Sequence, residues 1–154
     1  MVESNNLNKD QELSLKLFVV LTRAIQVIEK HVIQNIKSYG LNLTEFGVLE
    51  LLYHKGEQPI QRIGQKVLLA SSSITYVVDK LEEKEYITRR ACPTDRRVTY
   101  AVLTESGKKL MDEIFPQHAA AMREIMGGVE EQDKEVLINQ LKGLGLHAQN
   151  LSNK

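Results

Sequence analysis

Between positions 86 and 100 the chain carries four arginines, Arg89, Arg90, Arg96 and Arg97, against one acid, Asp95. Guanidinium groups at that density bind phosphate or reach into a nucleic-acid groove, because each offers a rigid fork of donors and a permanent charge. Upstream, Ile74, Val77, Val78 and Leu81 fall at i, i+3, i+4 and i+7, the stripe of a helix with one apolar face. The opposite face presents Ser72, Thr75, Tyr76, Asp79 and Glu83, with Ser73 and Lys80 at its edge. A helix with a small polar outer face fits a major groove about 12 Å wide. The partial positive charge at its N-terminal end suits phosphates and base edges.

Enzyme chemistry finds no comparable foothold. The chain has no Gly-rich phosphate loop, no G-x-S-x-G and no marked base for a serine, so Ser72 reads as a groove residue rather than a nucleophile. His31, His54, His118 and His147 are scattered, with no H-E-x-x-H or C-x-x-C pattern, so no metal or other cofactor is expected. The single cysteine, Cys92, excludes an intramolecular disulfide. It has two readings, a redox sensor whose thiolate is favoured by nearby arginines or a small apolar side chain at a strand end, and the second is preferred.

Charge and length agree with a nucleic-acid reading once the chain is divided. With 154 residues and 42% of them hydrophobic, it can bury a core. The 20 basic and 20 acidic residues cancel, which on its face argues against a nucleic-acid partner. Residues 60–100, however, hold 8 basic and 5 acidic residues, and four of those acids fall between positions 79 and 85. A basic patch can thus sit on a neutral molecule. The first ten residues are polar, which argues against a signal peptide. The longest apolar run, residues 17–21, is far short of the roughly 20 residues of a membrane helix, so no membrane partner and a cytoplasmic location are expected.

The elements that must position these groups follow from periodicity. Residues 11–38 read as one long helix, apolar on two sides, which predicts burial against a second subunit as well as against its own chain. Gly40 is a fitting residue just past its end. Thr44 is read as the N-cap of a helix closed by Gly56, Pro59 opens a short helix over 60–67, and residues 71–73 open the groove-facing helix. Residues 86–91 and 98–103 are strand-like and flank the turn residues Pro93, Thr94 and Asp95, a β-hairpin with basic residues at its tip. Thr104 caps a long helix kinked at Pro116, and a last helix spans 129–150. The fold class is mainly α with a small β-hairpin wing. The expected organisation is an N-terminal dimerisation helix (1–40), a winged helix-turn-helix (41–104) and C-terminal dimerisation helices (105–154).

The stretch 41–107 resembles the DNA-binding domain of the MarR family of bacterial transcription regulators. The D-x-R-x5-L-T motif is met by Asp95, Arg97, Leu103 and Thr104. The pattern S-x-x-T-x-x-V-D-[RK]-L-E is met by Ser72, Thr75, Val78, Asp79, Lys80, Leu81 and Glu82. The resemblance implies a homodimer with interlocked terminal helices that binds a pseudo-palindromic double-stranded DNA operator as a repressor and is released by small ligands or oxidants. The run over 92–100 is most similar to the branch regulating quinone and catechol resistance, which implies a small aromatic or phenolic effector. Three positions depart from the pattern: Tyr76 replaces a frequent arginine, Glu85 a usual glycine, and Ala70 a frequent capping serine.

On this reading Ser72, Ser73, Thr75, Tyr76 and Lys80 face the major groove, Arg97 enters the minor groove and Asp95 orients it. Arg89, Arg90 and Arg96 are expected phosphate contacts. A different reading makes the chain a helical dimerisation or adaptor module whose winged helix binds protein. Glu85 is expected in the left-handed conformation that glycine would adopt without cost.

Overall fold

The computed structural model describes residues 6–67 and 73–151. Helix α1 (Lys9–Lys37) starts from Asn8, whose side chain and that of Gln11 exchange hydrogen bonds with each other's backbone N–H. Helix α2 (Leu43–Lys55) starts from Asn42 and not from Thr44. Asn42 Oδ1 accepts the Glu45 amide at 2.8 Å while Glu45 Oε1 accepts the Asn42 amide at 3.1 Å. That reciprocal pair satisfies two orphan donors at once, so the Asn-x-x-Glu spacing prevails over the threonine inside it. Thr44 is left buried in the first turn.

A two-residue strand, β1 (Gln58–Pro59), leads into α3 (Ile60–Lys66), and the helix expected to face a groove is α4 (Ile74–Glu83). The hairpin forms as expected from β2 (Ile87–Ala91) and β3 (Thr99–Leu103). The sequence reading missed β1, which pairs antiparallel with β3 to give a sheet of order β1-β3-β2. Thr104 caps α5 (Glu105–Ile125), its hydroxyl oxygen accepting the Gly107 amide, and α5 runs as one element through Pro116. Helix α6 (Glu131–Leu151) follows.

One core joins these parts. Phe46, Val48, Leu49 and Leu52 of α2 pack against Ile63, the α4 stripe of Val77, Val78 and Leu81, Ile87, and Ala101 of the middle strand. Ile36 of α1 and Met111 and Ile114 of α5 complete it. Each of these side chains other than Ala101 contributes roughly 1.5–3 kcal/mol by leaving water. Helix α1 behaves differently along its length. In its last turns Ile36 is buried in this core and Val32 packs half-buried against it, while Leu13, Leu17, Val20 and Val27 stand exposed and Phe18 keeps 71% of its surface. No residue of α6 is buried, although Leu137, Ile138, Leu141 and Leu144 line it.

The end of α4 is built as the Glu85 expectation required. Glu85 has a φ of +65°, and among the described residues it is the only non-glycine with positive φ. Its amide donates to the Glu82 carbonyl at 2.9 Å and the Tyr86 amide to the Leu81 carbonyl at 3.0 Å, the paired bonds of a Schellman ending. Thr104 then locks the corner, its hydroxyl donating to the Glu85 carbonyl at 2.6 Å and its amide to the Tyr86 carbonyl at 3.0 Å. Gly107 sits so close beneath that a Cβ would lie 2.2 Å from the Tyr86 carbonyl oxygen. A side chain in the left-handed region costs roughly 1–2 kcal/mol, partly offset by the extra freedom of glycine in the unfolded chain. Glu85→Gly should therefore raise stability by up to about 1 kcal/mol in urea unfolding. An unchanged or lowered midpoint would contradict the strain assigned to this residue.

Candidate nucleic-acid interface

Helix α4 buries its apolar stripe and turns its other face outward. Thr75 and Tyr76 are exposed, Tyr76 by 58%, and Ser73 is exposed at the helix start with no side-chain capping bond of its own. Lys80 extends over the Tyr76 ring, 5.5 Å from its centroid, and lies 3.6 Å from Glu83. An open pair of this kind is worth about 0–1 kcal/mol, so little holds the ammonium back from another anion. Ser72, also expected on this face, lies outside the described residues.

The wing presents its arginine as the sequence motif implied. Asp95 Oδ1 accepts from the Arg97 amide at 3.0 Å and from Arg97 Nε at 3.2 Å, with Nη2 3.4 Å from Oδ2. The carboxylate thus bridges backbone and guanidinium, which holds its pKa below the usual range through the side-chain bond first and the backbone bond second. The Arg97 side chain is nonetheless 91% exposed, oriented at its base and open to a ligand at its tip. From below, Gln61 Nε2 donates to the Arg97 carbonyl at 2.9 Å and ties the wing tip to α3. Arg96 is exposed beside it.

Arg89 and Arg90 occupy a different setting from the open one expected of phosphate contacts. Arg89 donates to Glu82 Oε1 at 2.8 Å and makes a second, very short bond to Asp79, so it spans from β2 to two turns of α4. Arg90 forms a two-point pair with Glu57, at 3.0 and 2.6 Å, and its guanidinium stacks 4.7 Å from the Tyr100 ring centroid. Both are raised above the ordinary arginine pKa, the hydrogen bonds to Asp79 and to Glu57 being the leading causes. Lys84 closes a third pair, donating to Glu45 Oε2 at 2.6 Å. The Glu45 side chain is only 8% exposed, and its other oxygen caps α2. None of these partnerships was visible in the sequence.

Cys92 is half-buried, with its sulfur 3.4 Å from the Thr94 hydroxyl. Its pKa is lowered by that hydroxyl first and by the Thr94 and Asp95 amides next. The hydrogen bonds do what the arginines had been expected to do.

A second feature lies behind the winged helix. A crevice of about 300 Å³ opens between α1, α2 and α5, lined mainly by apolar residues such as Val32, Phe46, Leu51 and Met122, with His54 and His118 among them. His118 is buried 4.5 Å from the Phe46 ring. Asn35 uses its amide nitrogen to donate to Tyr39, so its Oδ1 accepts from His118 Nδ1 at 2.9 Å. His31 lines a separate depression between α1 and α5.

Helices α3 and α4 followed by the hairpin of β2 and β3 form a winged helix-turn-helix, and the chain is a winged-helix protein. The sequence profile of the MarR family matches residues 41–99. The HTH-type transcriptional regulator MhqR of Bacillus subtilis (strain 168) is 56% identical over 143 residues, covering 93% of this chain and 99% of that protein. The crystal structure of AbsC, a MarR family transcriptional regulator from Streptomyces coelicolor, superimposes with a TM-score of 0.78 at 19% identity over 96% of this chain and 99% of AbsC. Sco3205, a MarR family regulator from the same organism crystallised in complex with DNA, gives 0.75 at 19% identity over 90% of this chain and 91% of Sco3205. The chain belongs to the MarR family and is a transcriptional regulator, not an enzyme. Nothing in these relationships favours the adaptor reading. Among the described residues no helix is long and apolar enough to cross a membrane.

Burial lowers the His118 pKa from its ordinary value, with the nearby Glu50 charge opposing. As pH falls, the unfolded chain takes up this proton before the folded one, so stability is fully present above about pH 6.5 and declines below it. His118→Gln, which keeps a donor for Asn35, should flatten the loss of melting temperature between about pH 7 and pH 5.5. Parallel curves for parent and variant would contradict a buried neutral His118.

Proposed function

We propose that the protein is a homodimeric repressor that binds a pseudo-palindromic DNA operator and is released by a small aromatic or phenolic effector. The observation that carries this reading is the pairing of two exposed polar elements on one rigid unit. The α4 face of Ser73, Thr75, Tyr76 and Lys80 suits a major groove, and Arg97, anchored by Asp95, suits the negative potential of a narrow minor groove. Ser72 belongs with the α4 face by its spacing, and Arg96 is the phosphate contact that the wing tip leaves open. Dimerisation is supported by the apolar faces of α1 and α6, which a single protomer leaves exposed. Residues 1–40 and 105–154 supply that interface in this proposal, and 41–104 the DNA-binding part. Two-fold symmetry then sets the two recognition helices about one helical turn of DNA apart. The crevice holding His118 has the size and apolar lining that a small planar ligand needs. It lies between α2 of the winged helix and the long helices, so a ligand there can alter how the two α4 helices are spaced.

Binding-site selections at two salt concentrations, with Arg97→Ala and Tyr76→Ala beside the parent, test the division of labour. Arg97→Ala should cost about 1–3 kcal/mol per half-site and lower the salt slope while keeping the core sequence. Tyr76→Ala should blur one or two base pairs in each half-site, because base edges carry the sequence information. Altered core bases with Arg97→Ala and an unaltered preference with Tyr76→Ala would overturn the placement of helix and wing.

A further inference from the structure

We infer that Arg89 is a positioning residue for DNA binding, a clamp that fixes the wing to the recognition helix through Asp79 and Glu82, rather than a phosphate contact. The inference rests on the DNA-binding reading above. Its first support is geometric. Arg89 lies on β2 opposite Ala101, in the strand pair that carries the wing tip, and its guanidinium reaches back to two carboxylates of α4. Asp79 and Glu82 stand three residues apart, on neighbouring turns, and only a forked cation can hold both at once. The side chain is 30% exposed, so the pairs are partly shielded from solvent.

The second support is positional. Lys84 and Glu45 join the far end of α4 to α2, and the Schellman corner joins it to α5 through Thr104. Neither tie reaches the middle of the hairpin, where Arg89 sits, and the Gln61 bond to the Arg97 carbonyl holds the wing tip to α3 rather than to α4. Among the described hydrogen bonds and ion pairs, those of Arg89 alone run from a hairpin side chain to α4. With both carboxylates engaged, Arg89 sets the angle between the α4 face and Arg97. DNA then meets both at the spacing of adjacent grooves without first ordering them.

The clamp and a phosphate contact make opposite demands on the two acids. If Arg89 served phosphate, neutralising Asp79 and Glu82 would free the guanidinium, remove two negative charges near DNA and tighten binding. If Arg89 is a clamp, the same change loosens binding. The probe is a duplex recovered from a randomised pool by the parent protein. Recovery of no duplex would count against the DNA-binding reading itself and is distinct from the outcomes below.

The double variant Asp79→Asn with Glu82→Gln should bind this duplex about tenfold more weakly, despite its more positive surface. Arg89→Met should lose a similar factor, and the triple variant should be no weaker than Arg89→Met within about twofold, because all three changes break one device. The slope of log affinity against log salt should stay at the parent value in each. If Arg89→Met does not fold, as judged by its melting curve, the carboxamide pair carries the test alone. Binding by that pair equal to or tighter than the parent overturns the inference. So does a slope reduced by about two in Arg89→Met, one phosphate per protomer.

Discussion

The carbonyl oxygen of Tyr86 sits at a crossing of three chain segments. It accepts the Thr104 amide, the Tyr86 amide itself satisfies Leu81 at the end of α4, and Gly107 of α5 lies against it without room for a methyl group. Thr104 adds its hydroxyl to the Glu85 carbonyl on one side and caps α5 on the other. Helix α4, the wing and helix α5 therefore start or end within a few ångströms of one another. Movement of one displaces the others, because packed cores and hydrogen-bonded corners have discrete arrangements rather than continuous ones. The apolar stripe of α4 gives the helix its depth in the core, and this corner gives it its direction.

Electrostatics divides along the same lines. The molecule is neutral, yet its acids near the winged helix are largely committed to internal partners: Glu45 to Lys84, Glu57 to Arg90, Asp79 and Glu82 to Arg89. Each pair sets the angle between two elements. What remains outward is a set of exposed cations, Arg97 above all, held at its base by Asp95 and open at its tip. Net charge is a poor guide to such a surface, since the field at the groove depends on which charges are neutralised locally.

Several features of the site were legible in the residues. The Ile74, Val77, Val78, Leu81 spacing gave the orientation of α4 and hence its outward face, because a helix has one period and the core selects the apolar side. The strained end at Glu85 followed from a non-glycine where a left-handed residue was needed. The Asp95–Arg97 contact spans two residues and is a local property of the turn. The misses share a different cause. Asn42 displaced Thr44 as a cap because both can accept at a helix start, and only the reciprocal bond from Glu45 separates them. Strand β1 is two residues long and exists only through its pairing with β3. The ion pairs of Arg89 and Arg90 join residues up to 33 positions apart, a distance at which alternation along a strand says which side a residue faces but not what it meets.

Hydrogen exchange at the corner tests the central claim most directly, namely that α4, the wing and α5 are fixed to one another at Tyr86 and Thr104. Their amides should exchange only through global unfolding, with the same opening free energy and the same denaturant dependence as the core amides of Val78 and Leu81. Exchange of Tyr86 and Thr104 through a smaller opening, while Val78 and Leu81 stay protected, would show that the wing and α5 part from the recognition helix in the native state and would contradict the account.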